Sequence, residues 1–350
     1  FFFPENKSFT ASGASDFIDE LKNSCNQVKF FRFSDFTTNP KLDDAVNCIK
    51  HYKSNDCHAI ISIGGGSVLD MAKITKALIE TPKKLYESSI KKNAIDINHI
   101  IPLISVPTTA GSGSESTNFS VVYVKNIKYS ILHKKLLPDL VVLNSTLTHS
   151  NPQYQTACSG LDALSQAIES YWSINSNDIS KKYSQDAITL IYDNLPKAIE
   201  NDIESRELML IAANLAGKAI NITKTTAPHA FSYSITTNFS IPHGHAVFLS
   251  LPYFLKYNYG VNNTDCLDKR GAIYVKKSID SILSLFSANN PEDFIKKMSD
   301  FSKKIGVKLN LRDLGISKDE LKSKLKVNVE RLSNNPRKLQ DSEYSRFFLW

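Results

Sequence analysis

The chain lacks most of the features that would place it quickly. Its 350 residues include only five cysteines, at 25, 48, 57, 158 and 266, an odd and scattered set with no CxxC pair. That pattern argues for a reducing compartment and against both a disulfide framework and a thiolate metal site. No apolar run approaches the roughly 18 residues needed to cross a bilayer. The opening FFFPENKS has neither the basic stretch nor the cleavage-like site of a secretory leader, so the expectation is a cytoplasmic protein with no membrane partner. Basic and aromatic residues are not interleaved as in a nucleic-acid binder. There is no internal repeat, no low-complexity tract and no GxGxxG fingerprint. What remains is ordinary: 42% hydrophobic and 22% charged residues, as in a soluble globular protein. The net charge of +7 is spread over lysine-rich segments and gives a general bias toward anionic ligands.

The length predicts two domains or one large one. Strand and helix patterns alternate through the first ~145 residues. Strands are expected at 1–3, 28–33, 58–63, 100–106, 121–124 and 140–143, with helices at 42–52 and 67–79. Such alternation implies a largely parallel sheet with helices on both faces. From about Pro152 helical periodicity takes over, at 157–172, 179–194, 205–220, 229–236, 247–258, 291–305 and 318–327. The expected organisation is an α/β domain over 1–148 and an all-helical domain over 149–350.

Two glycine- and serine-rich segments follow buried strands. Gly64, Gly65, Gly66 and Ser67 lie between a strand and a helix, where a phosphate can approach the backbone and the first N–H groups of the helix favour an anion. PTTAGSGSE, at 107–115, follows the next strand. Loops of this kind at the carboxyl ends of parallel strands would flank one crevice, the usual dinucleotide site. The second half holds a different signal. Segment 225–251, TTAPHAFSYSITTNFSIPHGHAVFLSL, carries three of the eight histidines. His229 stands in a helical stretch and His243 in a Pro-His-Gly-His turn. Upstream, GLDALSQAIE puts Asp162 and Gln166 at i and i+4, on one helix face. An Asp and two His form a mixed N/O donor set suited to Zn²⁺ or Fe²⁺.

Together SIGGGSVLDMAK, PTTAGSGSE, LLPDLVVLN, SGLDALSQAIESYWS and PHGHAV resemble the iron-containing, or group III metal-dependent, alcohol dehydrogenases. The motifs occur in the family order over roughly residues 1–257. The resemblance implies a dinucleotide-binding α/β domain joined to an all-helical one, the architecture shared with dehydroquinate synthase. It also implies a metal in the cleft between the domains and a homodimer. By position, Gly64, Gly65, Gly66 and Ser67 fall on the pyrophosphate loop of NADH or NADPH. Thr108, Thr109 and Ser112 fall near the adenosine and nicotinamide portions, Asn39 near the adenine, Lys128 near the nicotinamide ribose, and Leu147 on an apolar cofactor contact. Asp162, His229 and His243 fall on three of the four ligands of one divalent ion. The chain departs from the family twice: Gln166 replaces the fourth ligand, normally His, and Tyr233 replaces a histidine that faces the nicotinamide. An amide oxygen is a neutral, weaker donor, and a tyrosine with an ordinary pKa of ~10 is a poor base at neutral pH.

Within the family, GLDALSQAIESYWS, INITKTTAPHAFSY and IPHGHAV look most like the phosphonoacetaldehyde reductases. The expected substrate is therefore a small anionic aldehyde, reduced to 2-hydroxyethylphosphonate. Its phosphonate needs a cation and hydroxyl or amide donors. Lys224, Thr225 and Thr226 form the preferred clamp, with Lys218 and His245 as further candidates and Asn221 close by. His245 and Tyr233 are the candidate proton relays. Glu169, on the same helix face as Asp162, reads as a buried ion-pair partner or a support for a ligand. Glu5 and Asn6, after the first strand, would lie near the adenosine ribose, where a Glu would repel a 2′-phosphate and favour NADH. His51, His58, His99, His133 and His149 read as structural or surface residues. Open alternatives are a broad-specificity alcohol dehydrogenase acting on small aldehydes, a lyase of the dehydroquinate synthase type, and a nucleotide-binding protein that has lost its metal.

Overall fold

The structure is a computed structural model. It describes all residues except 5–7, 99, 126, 341–343, 345, 347, 349 and 350. The readings placed on Glu5, Asn6 and His99 lie outside the described residues. The chain divides into two compact units, Phe1–Asn151 and Pro152–Trp350.

The first unit contains, in chain order, β1 (Phe2–Pro4), α1 (Ser8–Ala11), α2 (Ala14–Ser24), α3 (Leu42–Ser54), β2 (Ile60–Gly64), α4 (Gly66–Leu78), α5 (Tyr86–Lys91), β3 (Leu103–Pro107), β4 (Phe119–Val124), β5 (Ile127–Leu132) and β6 (Leu140–Val141). Strands β1, β2, β3 and β6 form one parallel sheet in that order. Because side chains alternate across a strand, Phe2 and Phe3 enter different apolar clusters. Phe3 joins Ile60, Met71, Ile74 and Leu103. Phe2 joins Ile18, Ile63, Val106 and Leu147. Burial on both faces explains why these strands read as continuous apolar runs.

Two strand expectations are corrected. Residues 28–33 form no strand. The segment runs beside β1 through Phe2 N–H to Phe31 O (2.9 Å) and Phe33 N–H to Phe2 O (3.0 Å), with only one isolated bridge at Arg32. The second strand of the pair at 119–132 went unread: β4 and β5 make a separate antiparallel hairpin outside the parallel sheet. Its turn includes Lys125 with a φ of 50°, a left-handed conformation that few residues other than glycine adopt readily.

The described part of the second unit contains helices only: α6 (Gln153–Trp172), α7 (Asp178–Ile199), α8 (Ile203–Thr223), α9 (Ala227–Phe239), α10 (His243–Phe248), α11 (Leu251–Tyr259), α12 (Ala272–Leu285), α13 (Pro291–Lys304), α14 (Lys318–Lys324) and α15 (Val329–Leu332). Local chemistry sets their starts. Asn177 and Ser180 form a reciprocal capping box on α7, and the Asp202 carboxylate accepts the Ser205 N–H on α8. Helix α6 is buried almost all round from Thr156 onward, as expected of a helix enclosed by neighbours. Helices α7, α8 and α10 pack against it. No helix among the described residues is long and apolar enough to cross a membrane.

Candidate metal centre and nucleotide loops

In the second unit, α6 supplies Asp162, α9 supplies His229 and α10 supplies His243. One donor atom from each lies within 4.8 Å of the others. His229 Nε2 is 3.3 Å from Asp162 Oδ1, and the two imidazole rings stand 5.3 Å apart at 73°. Gln166 lies one turn beyond Asp162 and is 4% exposed. Its side chain hydrogen bonds to Asp162, while its Oε1 is buried and accepts no hydrogen bond.

Glu169, fully buried, backs the cluster. Its Oε2 hydrogen bonds to His229 Nδ1. Its Oε1 accepts from Thr226 N (3.2 Å), Thr226 Oγ1 (3.0 Å) and His229 N (3.1 Å). Trp172 Nε1 donates to the same Thr226 hydroxyl at 2.9 Å. Burial alone would depress the His229 pKa, but Glu169 and Asp162 outweigh it and raise the pKa to about 10. Burial pushes the Asp162 carboxyl up, yet the His229 hydrogen bond and the charge of the histidines hold it below the usual range. The pocket is thus built to hold positive charge among two buried carboxylates. A divalent cation fits that demand, and its donors would be Asp162, His229 and His243 with the Gln166 amide oxygen.

Close packing aligns α10 with α6. A Cβ on Gly244 would sit 2.0 Å from Cys158 O, 2.7 Å from Asp162 N and 2.8 Å from Asp162 Cβ. Only glycine lets His243 come this near Asp162. Tyr233 stacks on the His243 ring, 5.6 Å away and nearly parallel (2°).

Several expected site residues turn out to have other tasks. Thr226 is fully buried and its hydroxyl is taken by Glu169 and Trp172, so it positions the metal ligands rather than clamping substrate. Thr225 is 4% exposed and its carbonyl accepts from Asn334 Nδ2 at 2.9 Å. His245 is buried, with Nε2 donating to Lys308 O (2.6 Å) and Nδ1 paired with the Tyr154 hydroxyl (2.9 Å). Both ring nitrogens are thereby occupied, and burial lowers the pKa, so His245 tethers α10 instead of relaying protons. Lys218 is exposed on α8. Lys224, partly exposed just after α8, has φ 61° and ψ 172°. That backbone region is essentially reserved for glycine and costs about 1–3 kcal/mol.

In the first unit the two glycine-rich loops leave neighbouring parallel strands at one level, with Gly64 paired to Pro107. Thr108 N–H donates to Gly64 O at 3.1 Å. A Cβ on Gly66 would meet Ser112 at 3.0 Å, and one on Gly65 would touch Thr109 at 3.5 Å. Asn39, at φ 62°, donates its N–H to Ser67 Oγ at 3.2 Å. Six of the expected cofactor residues besides Gly64 and Thr108 thus converge on the start of α4, where phosphate binding is favoured. Lys128 lies on β5 close enough to influence Asp70. Leu147 is the exception, because it is 2% exposed and packs into the core with Phe2 and Val106, leaving almost no surface for a ligand.

The sequence reading missed a network that ties these loops together. Lys73 of α4, fully buried, donates to Ser114 O, Ser114 Oγ (3.1 Å), Thr117 Oγ1 (2.9 Å) and Phe119 O (3.1 Å). Asp70 accepts from Ser114 Oγ (2.8 Å) and Val121 N (3.1 Å). Burial lowers the Lys73 pKa to about 8 against a partial pull from Asp70 and Glu115. The available signal was three charges, Asp70, Lys73 and Lys76, spaced three apart in a largely apolar helix.

Comparison with known proteins identifies the family. Residues 8–145 match the family described as iron-containing alcohol dehydrogenase, and residues 156–347 match the C-terminal part of the Fe-containing alcohol dehydrogenase family. The chain belongs to the iron-containing alcohol dehydrogenase family. It is an NAD(P)-dependent oxidoreductase that works with a divalent metal ion. The enzyme is 32% identical to a probable alcohol dehydrogenase, EutG, of Escherichia coli over 280 residues, covering 79% of this chain and 68% of the relative. It is 31% identical to an NADPH-dependent butanol dehydrogenase of Clostridium saccharobutylicum, covering 83% and 75%. Among solved structures, sulfoacetaldehyde reductase from Bifidobacterium kashiwanohense in complex with NAD⁺ aligns with a TM-score of 0.82 and 28% identity, covering 99% of this chain and 88% of that one.

Proposed function

We propose that the enzyme reduces phosphonoacetaldehyde to 2-hydroxyethylphosphonate with NADH or NADPH. The observation that carries this reading is the strained backbone of Lys224. A lysine is kept where glycine would be free of strain, two residues before Thr226, whose N–H is fixed on Glu169 beside the metal ligands. Strain retained next to a reactive centre points to a use for the side chain, and an ammonium is what a phosphonate needs. The structural likeness to a sulfoacetaldehyde reductase supports the same substrate shape, a two-carbon aldehyde ending in an anionic head group.

When bound, the divalent ion supplies Lewis-acid polarisation of the aldehyde oxygen and the nicotinamide supplies the hydride. The chain's own residues do the positioning. Asp162, His229, His243 and Gln166 would hold the ion, Gly64, Gly65, Gly66 and Ser67 would hold the pyrophosphate, and Lys224 would hold the head group. His245 is engaged internally, so the proton of the product oxygen would come from solvent water.

The test is NADH and NADPH oxidation by Fe²⁺- or Zn²⁺-loaded enzyme on phosphonoacetaldehyde, sulfoacetaldehyde and butanal. Phosphonoacetaldehyde should be strongly preferred, and chelation should abolish turnover. Lys224→Ala should raise KM for phosphonoacetaldehyde by about 10–100-fold, the worth of one charge-assisted hydrogen bond, and leave butanal within about twofold. Equal efficiency on butanal would retain the dehydrogenase and discard the anionic substrate.

A further inference from the structure

The two oxygens of Glu169 face different partners. Oε1 receives two main-chain N–H groups, from Thr226 and His229. A main-chain N–H cannot rotate or accept, so the atom at Oε1 must be an oxygen. The Thr226 hydroxyl adds a third donor there. Its direction is fixed because Trp172 Nε1, which can only donate, occupies the hydroxyl oxygen from the other side. Oε2 is left to His229 Nδ1.

We propose that Glu169 is a positioning residue that selects the His229 tautomer able to bind the metal. The proposal rests on the metal centre described above and explains how its histidine is made ready. A neutral imidazole carries one N–H and one lone pair, and the partner of one nitrogen decides the role of the other. A carboxylate at Oε2 can only accept, so it keeps the proton on Nδ1. Once the ring has given up the second proton that it holds between the two carboxylates, the lone pair is on Nε2, the nitrogen facing Asp162 Oδ1. Glutamine has nearly the same size but reverses this logic. The two main-chain donors would hold its oxygen at the Oε1 position, so its NH₂ would take the Oε2 position and donate to Nδ1. The ring proton would move to Nε2 and block the metal.

Equilibrium dialysis with Zn²⁺ tests the proposal on wild type, Glu169→Gln and Glu169→Asp, with circular dichroism reporting the fold. Glu169→Gln should fold and bind Zn²⁺ at least about tenfold more weakly, within the 10–100-fold range for loss of a carboxylate behind a metal-bound histidine. Glu169→Asp, still acceptor-only, should bind more tightly than Glu169→Gln. Wild-type affinity in Glu169→Gln, or an equal loss in both variants, would overturn the proposal. A second measurement does not depend on any variant. In ¹⁵N spectra of Zn²⁺-loaded wild type, His229 should carry its proton on Nδ1, and a proton on Nε2 would overturn the proposal. Failure of the wild type to bind Zn²⁺ would overturn the metal centre and the proposal with it.

Discussion

A single missing side chain sets the spacing of the metal ligands. The Cβ of Gly244→Ala would fall on Cys158 O, Asp162 N and Asp162 Cβ, none of which is the tip of a flexible side chain. The variant should lose about 1–3 kcal/mol of stability through overpacking, and Zn²⁺ affinity should fall about tenfold or more as α10 moves His243 away from Asp162. Denaturant melts and equilibrium dialysis measure the two effects. Gly160→Ala, on α6 two residues before Asp162, is the control. Its Cβ would meet only side-chain atoms of Leu195 and Met209, which can turn aside, and it should bind Zn²⁺ normally. At this scale the sequence showed what its chemistry names outright. Asp162, His229 and His243 were legible as donors because few other residue types bind Zn²⁺ or Fe²⁺. Gly244 was not legible, because a glycine's close contact is a property of its neighbour. The work of Thr226 was misread for a related reason: a hydroxyl beside a lysine looks like an anion clamp until Glu169 and Trp172 are seen to occupy it.

At the scale of elements, α4 fastens the 113–119 segment through a buried lysine. The folded pKa of Lys73, about 8, is below its ordinary value of 10.5. Between those values the unfolded chain holds a proton that the folded chain has shed. Lys73 therefore makes stability rise with pH across that window, and the gain is lost as pH falls through 8. Asp70, held above its ordinary 3.8 by burial, acts with the opposite sign. Chemical denaturation from pH 8 to 10.5 should show the rise in wild type, and Lys73→Met should lack it and be less stable throughout. The same slope in both proteins would contradict the assignment. Periodicity located the long buried elements of both units but not all of them. Helix α12 carries its apolar stripe at Val275, Ile279 and Ile282, and its β-branched residues weaken a helical reading. Hairpin β4–β5 was half seen, because β5 is mostly half-buried and alternates poorly.

For the molecule as a whole, one ion would join α6, α9 and α10, which otherwise meet through side-chain packing and the hydrogen bonds of Glu169. Saturation at about 100 times Kd adds roughly 2.7 kcal/mol to folding, so chelation should lower Tm by several degrees. Hydrogen exchange read by peptide should localise the change. Amides of α9 and α10 should exchange faster in chelated enzyme while those of β2 and β3 keep their rates. Uniform acceleration would mean that the ion is not held by these helices. The division into a parallel-sheet unit and a helical unit was plain from the shift in periodicity near Pro152. The observed break follows Asn151 rather than residue 148, because the 3₁₀ turn Ser145–Thr148 still packs Leu147 into the sheet core.

The pairing of Asp162 with Glu169 also fixes an electrical condition. Two carboxylates, one fully buried and one 8% exposed, bring two negative charges into the protein interior. With both imidazoles neutral, a divalent cation brings the sum to zero. An alkali ion would leave one negative charge and a trivalent ion one positive charge, each at a desolvation cost of several kcal/mol. The pocket therefore sorts cations by valence before it sorts them by radius. By the same balance a ferrous ion would suit the pocket better than a ferric one.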